Sequence, residues 1–179
     1  MHLSIRHQAT FPAISLLLSL SLMQPANAVT IPTTQQGVHQ LKTRNGKLIV
    51  VGGSFQDTTT YKRSLTFYVE AKPGAEWLHV PVVTSPADHE LTWFSVSRGD
   101  DTIEDALVTT QGDEVFLIIA EKKPAGVVAS WYRFSEAGPD DIDGPAYLFK
   151  RTGAREYAKN TRPTVDGVLK QEARMPAKR

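Results

Sequence analysis

The sequence contains no cysteine among its 179 residues. No disulfide can therefore staple the domain, which must rely on its hydrophobic core even in an oxidising compartment. Thiol catalysis and cysteine-ligated metal sites are excluded for the same reason. Lipid attachment to a cysteine behind a leader peptide is excluded as well.

The chain also has little excess charge, with 20 basic and 19 acidic residues. A nucleic-acid-binding domain requires a basic face that neutralises phosphates. The near balance of charge therefore argues against nucleic acid as a partner.

Motifs of common catalytic and metal sites are scarce. Gly53-Ser54-Phe55 lacks the second glycine of a serine hydrolase elbow, and no serine has the lysine three residues later that penicillin-recognising serine enzymes require. Beyond residue 28 the histidines are His39, His79 and His89, without the close spacing of metal ligands. Arg151-Thr152-Gly153 resembles a Lys-Thr-Gly box but is interpreted as a turn. We therefore predict no catalytic residue, no metal site and no cofactor.

The N-terminal segment has the three parts of an export signal. Arg6 belongs to a weakly basic start without acids, and residues 11–23 form an apolar run. This run is shorter than the roughly 20 residues that cross a bilayer, but it suits the core of a signal peptide. Pro25 then breaks the helix, and Ala26-Asn27-Ala28 offers a cleavage site. We predict a signal peptide over residues 1–28; a buried N-terminal helix is the alternative, although the run shows no helical face.

Residues 29–179 then form a single domain, which we expect to be periplasmic or secreted. No later apolar segment is long enough to span a membrane, so we expect no membrane anchor in the mature chain. Its expected partner is an unidentified protein or small-molecule ligand of the periplasm.

Strand patterns separated by turn residues dominate this domain. Asn45-Gly46 lies between two apolar runs and predicts a hairpin. Alternation with period two places Leu65, Phe67 and Val69 on one face of a half-buried strand. The continuous apolar run 115–120 predicts a central strand that is covered on both faces.

The remaining segments complete the predicted architecture. Val29–Gln36 is expected to be a mobile polar lead-in, Gly52-Gly53 to end the second strand, and Ala146–Lys150 to be the last strand. Thr164 can cap a short helix over residues 165–172. We predict an all-β fold, an antiparallel β-sandwich or barrel with a short C-terminal helix.

Two groups of acidic residues are candidates for recognition. They are Asp100, Asp101, Glu104 and Asp105 in the first, and Asp140, Asp141 and Asp143 in the second. Turn formation is the simpler interpretation, because the side chain of aspartate forms hydrogen bonds with the nearby backbone in turns. We take Asp140, Asp141 and Asp143 as the candidate partner-binding residues.

Several strand segments resemble a known family. They are residues 65–69, 101–105, 115–122, 128–132 and 143–149, together with the tail over residues 165–172. Their order is similar to that of the periplasmic carbapenem intrinsic-resistance proteins of the CarG type. This resemblance implies a β-sandwich that protects the cell from a carbapenem without hydrolysing the drug.

A second functional class is compatible with the same sequence. Small exported β-domains also act as immunity or inhibitor proteins that block a cell-wall hydrolase or toxin. An acidic loop at residues 140–144 would suit the cleft of a basic enzyme. Both hypotheses predict a protein that binds and does not catalyse.

Overall fold

The computed structural model describes residues 28–85, 88–138 and 144–177. In chain order its strands are β1 (Thr30–Pro32), β2 (Gly37–Thr43), β3 (Gly46–Gln56), β4 (Tyr61–Glu70), β5 (Leu78–His79), β6 (Val82–Ser85), β7 (Asp88–Glu90), β8 (Thr92–Phe94), β9 (Val96–Arg98), β10 (Asp101–Gln111), β11 (Glu114–Lys123), β12 (Gly126–Glu136) and β13 (Tyr147–Ala158). A 3-10 turn covers Lys159–Thr161, and helix α1 covers Val165–Glu172.

The strands form two sheets, and α1 adds a third layer. The eight-stranded sheet has the order β1-β10-β11-β12-β13-β6-β7, and β9 also pairs with β10. The five-stranded sheet has the order β2-β3-β4-β5, and β8 also pairs with β4. Among the described pairs, β13 and β6 are parallel and the others are antiparallel. The predicted all-β fold with a C-terminal helix is confirmed, as a sandwich and not a closed barrel.

The hairpin predicted at Asn45-Gly46 joins β2 to β3. Thr43 pairs with Gly46, so the loop consists of Arg44 and Asn45. Gly46 has a φ of 114°, and a Cβ atom there would lie 2.4 Å from the carbonyl oxygen of Glu70. Only glycine fits this position, because both the backbone conformation and the neighbouring strand exclude a side chain.

The first hydrophobic core lies between the two sheets. Leu65, Phe67 and Val69 of β4 are fully buried in it, as their alternation predicts. The Phe67 ring packs against Phe149 of β13, with 4.7 Å between the ring centroids. Burial of such side chains supplies the stability that a disulfide would otherwise add.

The second core lies between the large sheet and α1. Strand β11 contributes to both cores, since Val115, Leu117 and Ile119 belong to the first and its alternate residues Phe116, Ile118 and Ala120 to the second. The prediction that this strand is covered on both faces is confirmed. A continuous apolar run is the signature of such a strand.

Helix α1 begins where the sequence predicts. The Thr164 hydroxyl accepts a hydrogen bond of 3.1 Å from the backbone N–H of Gly167, which satisfies one free donor of the first turn. Val165, Val168 and Leu169 are buried against the large sheet. The helix therefore covers the face of the sheet opposite to the five-stranded sheet.

The N-terminal segment of the domain differs from its prediction. Val29–Gln36 was expected to be mobile, but Thr30–Pro32 forms β1 and pairs with β10. Ile31 and Thr33 are buried, with 3% and 1% exposure. The segment has few apolar residues, and it is ordered because the edge of β10 offers backbone partners that local sequence does not reveal.

Two strand boundaries were also predicted wrongly. Strand β3 continues through Gly52-Gly53 to Gln56, paired with β4 along this length. The final strand extends from Tyr147 to Ala158, well beyond the predicted Ala146–Lys150, so Arg151-Thr152-Gly153 is strand and not turn. These segments contain glycine or alternating charged residues, and cross-strand pairing stabilises them in place of local propensity.

Two further segments each contribute a strand to both sheets. The segment around residues 77–83 gives β5 in the small sheet and β6 in the large sheet. Residues 91–98 give β8 in the small sheet and β9 in the large sheet.

Among the described residues, no helix has the length and apolar character needed to cross a membrane.

Candidate functional site

A cleft of about 910 Å³ lies between β1, β10 and helix α1. Its volume is within the range of small-molecule binding sites, about 300 to 1,000 Å³. Ala106 and Leu107 of β10 line it on one side, and Leu169 and Ala173 line it from the helical segment. These side chains give the cleft apolar walls, and threonines and the charged and polar side chains described below line it as well.

An ion pair marks one end of the cleft. The Oδ2 atom of Asp105 accepts a hydrogen bond of 3.0 Å from the guanidinium of Arg63, which reaches over from β4 of the small sheet. The Oδ1 atom accepts from the Thr33 hydroxyl at 2.6 Å and from the backbone N–H of Ala106 at 2.9 Å. The two sheets are therefore connected through Asp105 beside the cleft.

Burial decides the protonation behaviour of Asp105. The side chain is 7% exposed, and loss of hydration raises the pKa of its carboxyl above the ordinary value of 3.8. The hydrogen bonds from Thr33 and Ala106 and the charge of Arg63 act in the opposite direction, but they do not cancel the effect of burial. When it is ionised, the carboxylate has three hydrogen-bond donors around it, because a buried charge needs such partners.

The helical wall of the cleft carries further charges. Asp166, Lys170 and Arg174 line it and are exposed to solvent. Together with Arg63 and Asp105 they give three basic and two acidic side chains around the cleft. The balance slightly favours an anionic ligand.

The other end of the cleft is closed by Gln111. Its side-chain amide donates to the carbonyl oxygen of Met175 at 2.7 Å and accepts from the backbone N–H of Ala177 at 2.8 Å. Gln111 lies six residues beyond Asp105 on the same strand, a separation of about 20 Å at the usual rise per residue. The segment after α1 is thus fastened to β10 and forms the far wall.

A buried polar cluster fixes the helix that forms this wall. Glu172 is fully buried and accepts hydrogen bonds from the indole N–H of Trp131 and from the Tyr157 hydroxyl, each at 2.7 Å. Arg155 forms an ion pair with the same carboxylate and lies over the Trp131 ring, 5.6 Å from its centroid. Burial and the bond to Glu172 raise the pKa of Tyr157, so its hydroxyl stays a donor.

The fold is similar to that of a solved structure. The crystal structure of CarG aligns with this chain at a TM-score of 0.60 and 25% sequence identity, over 76% of this chain and 90% of CarG. The chain is related to CarG. The resemblance stated from the strand segments is therefore confirmed, although no protein-family model and no curated protein matches the sequence.

The likeness to CarG does not test the predicted partner-binding residues. Asp140, Asp141 and Asp143 lie outside the described residues, as does the signal-peptide segment before Ala28. Binding of a partner by this acidic loop and cleavage of the leader both stay predictions.

The three histidines of the domain lie apart in the structure. His39 on β2 approaches the carbonyl oxygen of Gln35 at 3.2 Å, and His89 is exposed on β7. His79 on β5 packs edge-on against Tyr68, with 4.7 Å between ring centroids, and its buried Nδ1 has no hydrogen-bond partner in the part of the chain described. Among the described residues no group of three or more acidic or histidine side chains could hold a metal ion.

The first acidic group divides into residues with different roles. Asp100 and Asp101 are exposed, and Asp101 pairs with Lys122 at 2.6 Å. Burial raises the pKa of the Glu104 carboxyl, and the charge of Glu121 on the adjacent strand adds to this shift. Asp105 is a buried strand residue, so the interpretation of this acid as turn-forming was wrong.

Sequence reasoning missed the cleft for a specific reason. Asp105 is followed by the apolar run Ala106-Leu107-Val108, and an acid that enters a buried strand usually has a partner. That signal was available, but the partner was not, because Arg63 lies 42 residues earlier in the chain. Only the fold brings these two side chains together.

Proposed function

We propose that this protein protects a bacterium against a carbapenem by binding and without turnover. The relationship to CarG carries this proposal, since the two structures align at a TM-score of 0.60 over 76% of this chain and 90% of CarG. The strand segments of the sequence resemble the same protein family.

The cleft beside α1 supports binding as the mode of action. It has the volume of a small-molecule site, apolar walls and several charged lining groups, which are the usual features of a site for a drug-sized ligand. The sequence has no Ser-x-x-Lys motif with which serine enzymes open a β-lactam ring. We therefore place the drug in the cleft as a bound ligand and not as a substrate.

Export is part of the proposal, because carbapenems act outside the inner membrane. The apolar run before Ala26-Asn27-Ala28 would direct the chain to the periplasm. A protein that binds the drug there would lower its free concentration beside the targets.

The test is production of the chain in a carbapenem-sensitive bacterium. We expect a higher inhibitory concentration for a carbapenem, while chromatography of the medium shows the drug intact. A matched control is the same gene without the codons for residues 2–28, which should give the folded protein in the cytoplasm and no protection.

Two results would contradict the proposal in different ways. Unchanged tolerance with folded protein in the periplasm would exclude protection against the drug and would favour the inhibitor hypothesis. Drug loss that grows with time beyond one equivalent of protein would show turnover, and the protein would then be an enzyme.

A further inference from the structure

The Arg63 end of the cleft offers hydrogen-bond donors that the protein itself does not use. The Asp105 carboxylate already accepts from Thr33, Ala106 and Arg63. A guanidinium has five N–H groups, and within the described residues only one contact, to Asp105, is made by the Arg63 guanidinium. This end of the cleft is therefore rich in donors.

The placement of Arg63 favours a planar anionic group. Its side chain is 33% exposed and lines the cleft, so a ligand in the cleft can contact it. The bond to Asp105 restrains the side chain, which lowers the entropy lost when a ligand binds. An arginine fork matches the two oxygens of a carboxylate in a bidentate geometry.

The rest of the cleft specifies the remainder of the ligand. Leu107, Leu169 and Met175 provide apolar contacts along the walls. Lys170 and Arg174 also line the cleft but are exposed to solvent, where charges attract an anion over a distance but bind it weakly. A compact molecule with one carboxylate at one end of an apolar body fits this distribution.

We propose that Arg63 is the residue that binds the ligand's carboxylate in this cleft. The inference rests on the proposed function, because a carbapenem carries one carboxylate on its fused ring system. Arg63 then selects the free acid over forms of the drug in which this group is blocked.

The experiment compares a carbapenem with its methyl ester, which keeps the ring system and lacks the negative charge. Binding of both compounds to the purified exported protein is measured by titration calorimetry. We expect the ester to bind about 10- to 100-fold more weakly, the effect of losing a charged hydrogen bond. This comparison uses the wild-type chain, so the folding of a variant does not affect it.

Two substitutions then assign the effect to one side chain. Arg63→Lys keeps the charge but removes the fork, and it should weaken binding of the acid about tenfold or more while the ester changes little. Lys62→Gln is the matched control, because Lys62 is the next residue on β4 and, by alternation, faces the other side of the sheet. This variant should bind both compounds as the wild type does.

The outcomes separate the inference from the proposed function. Wild-type protein that binds neither compound would overturn both. Tight binding of acid and ester alike, or equal binding by wild type and Arg63→Lys, would overturn the role of Arg63 and leave the protection by binding intact.

Discussion

The carboxylate of Glu172 on α1 accepts a hydrogen bond of 2.7 Å from the indole N–H of Trp131 on β12, and both side chains are fully buried. Tyr157 and Arg155 complete the cluster around the same carboxylate. The helix is thus attached to the large sheet by a charge with three partners and not only by apolar contacts. Since this helix forms one wall of the cleft, the cluster also determines the shape of the site.

Glu172→Ala should lower the free energy of unfolding by about 3 to 5 kcal/mol, as loss of one member of a buried ion pair does. The substitution leaves the Trp131 N–H and the Tyr157 hydroxyl without their acceptor and Arg155 without its counter-charge. Glu172→Gln should lower the free energy of unfolding by less, because the amide oxygen still accepts a hydrogen bond. Denaturant unfolding measures both, with exposed Glu156→Ala as the control. A loss no larger than that of the control would show that the cluster is not stabilising.

Truncation of one aromatic residue in each core should lower the free energy of unfolding about as much as Glu172→Ala does. Phe67 is buried between the sheets and Trp131 between the large sheet and α1, each without exposed surface. Phe67→Ala and Trp131→Ala should each destabilise the fold by about 3 to 5 kcal/mol. Thermal melts of the two variants check this, and a wild-type melting temperature for either one would mean that its core site contributes little.

Much of the architecture follows from local sequence. Asn45-Gly46 predicts its hairpin because the backbone conformation at Gly46 excludes other residues at that position. The continuous apolar run of β11 predicts burial on both faces, and Thr164 predicts the start of α1. In each case the physical cause lies within a few residues of the signal.

The parts that could not be predicted depend on distant partners. Strand β1 has almost no apolar pattern and is ordered by the edge of β10, while the second half of β13 is charged and is ordered by β12. The parallel pairing of β6 with β13 has no local signature. The cleft belongs to this class, since Arg63 and Asp105 meet only when the two sheets pack.

The raised pKa of Asp105 predicts how stability changes with pH. The folded state holds this proton more tightly than the unfolded chain, so the free energy of unfolding falls as pH rises between the ordinary value of 3.8 and the raised pKa. Relative to Asp105→Asn, the wild type should therefore gain stability when pH is lowered from neutral towards about 4. Unfolding of both proteins across this range measures the difference, with exposed Asp113→Asn as the control. If the difference in stability between wild type and Asp105→Asn does not change with pH, or changes in the opposite direction, the pKa of Asp105 is not raised in the folded protein.

The mature chain is predicted to begin at Val29, and the contacts of this residue give the prediction a structural consequence. The backbone N–H of Val29 donates to the Thr110 hydroxyl at 2.9 Å, and its carbonyl oxygen accepts from the Thr110 N–H at 3.0 Å. Cleavage after Ala28 would leave both contacts possible, convert the Val29 nitrogen to an ammonium group, and remove Ala28 from the lining of the cleft. N-terminal sequencing of periplasmic protein should return Val29. The variant Ala28→Leu should leave uncleaved precursor with the membranes, because signal peptidase requires a small residue immediately before the cleavage site. Recovery of soluble protein that starts at Met1 would contradict export by a cleaved leader.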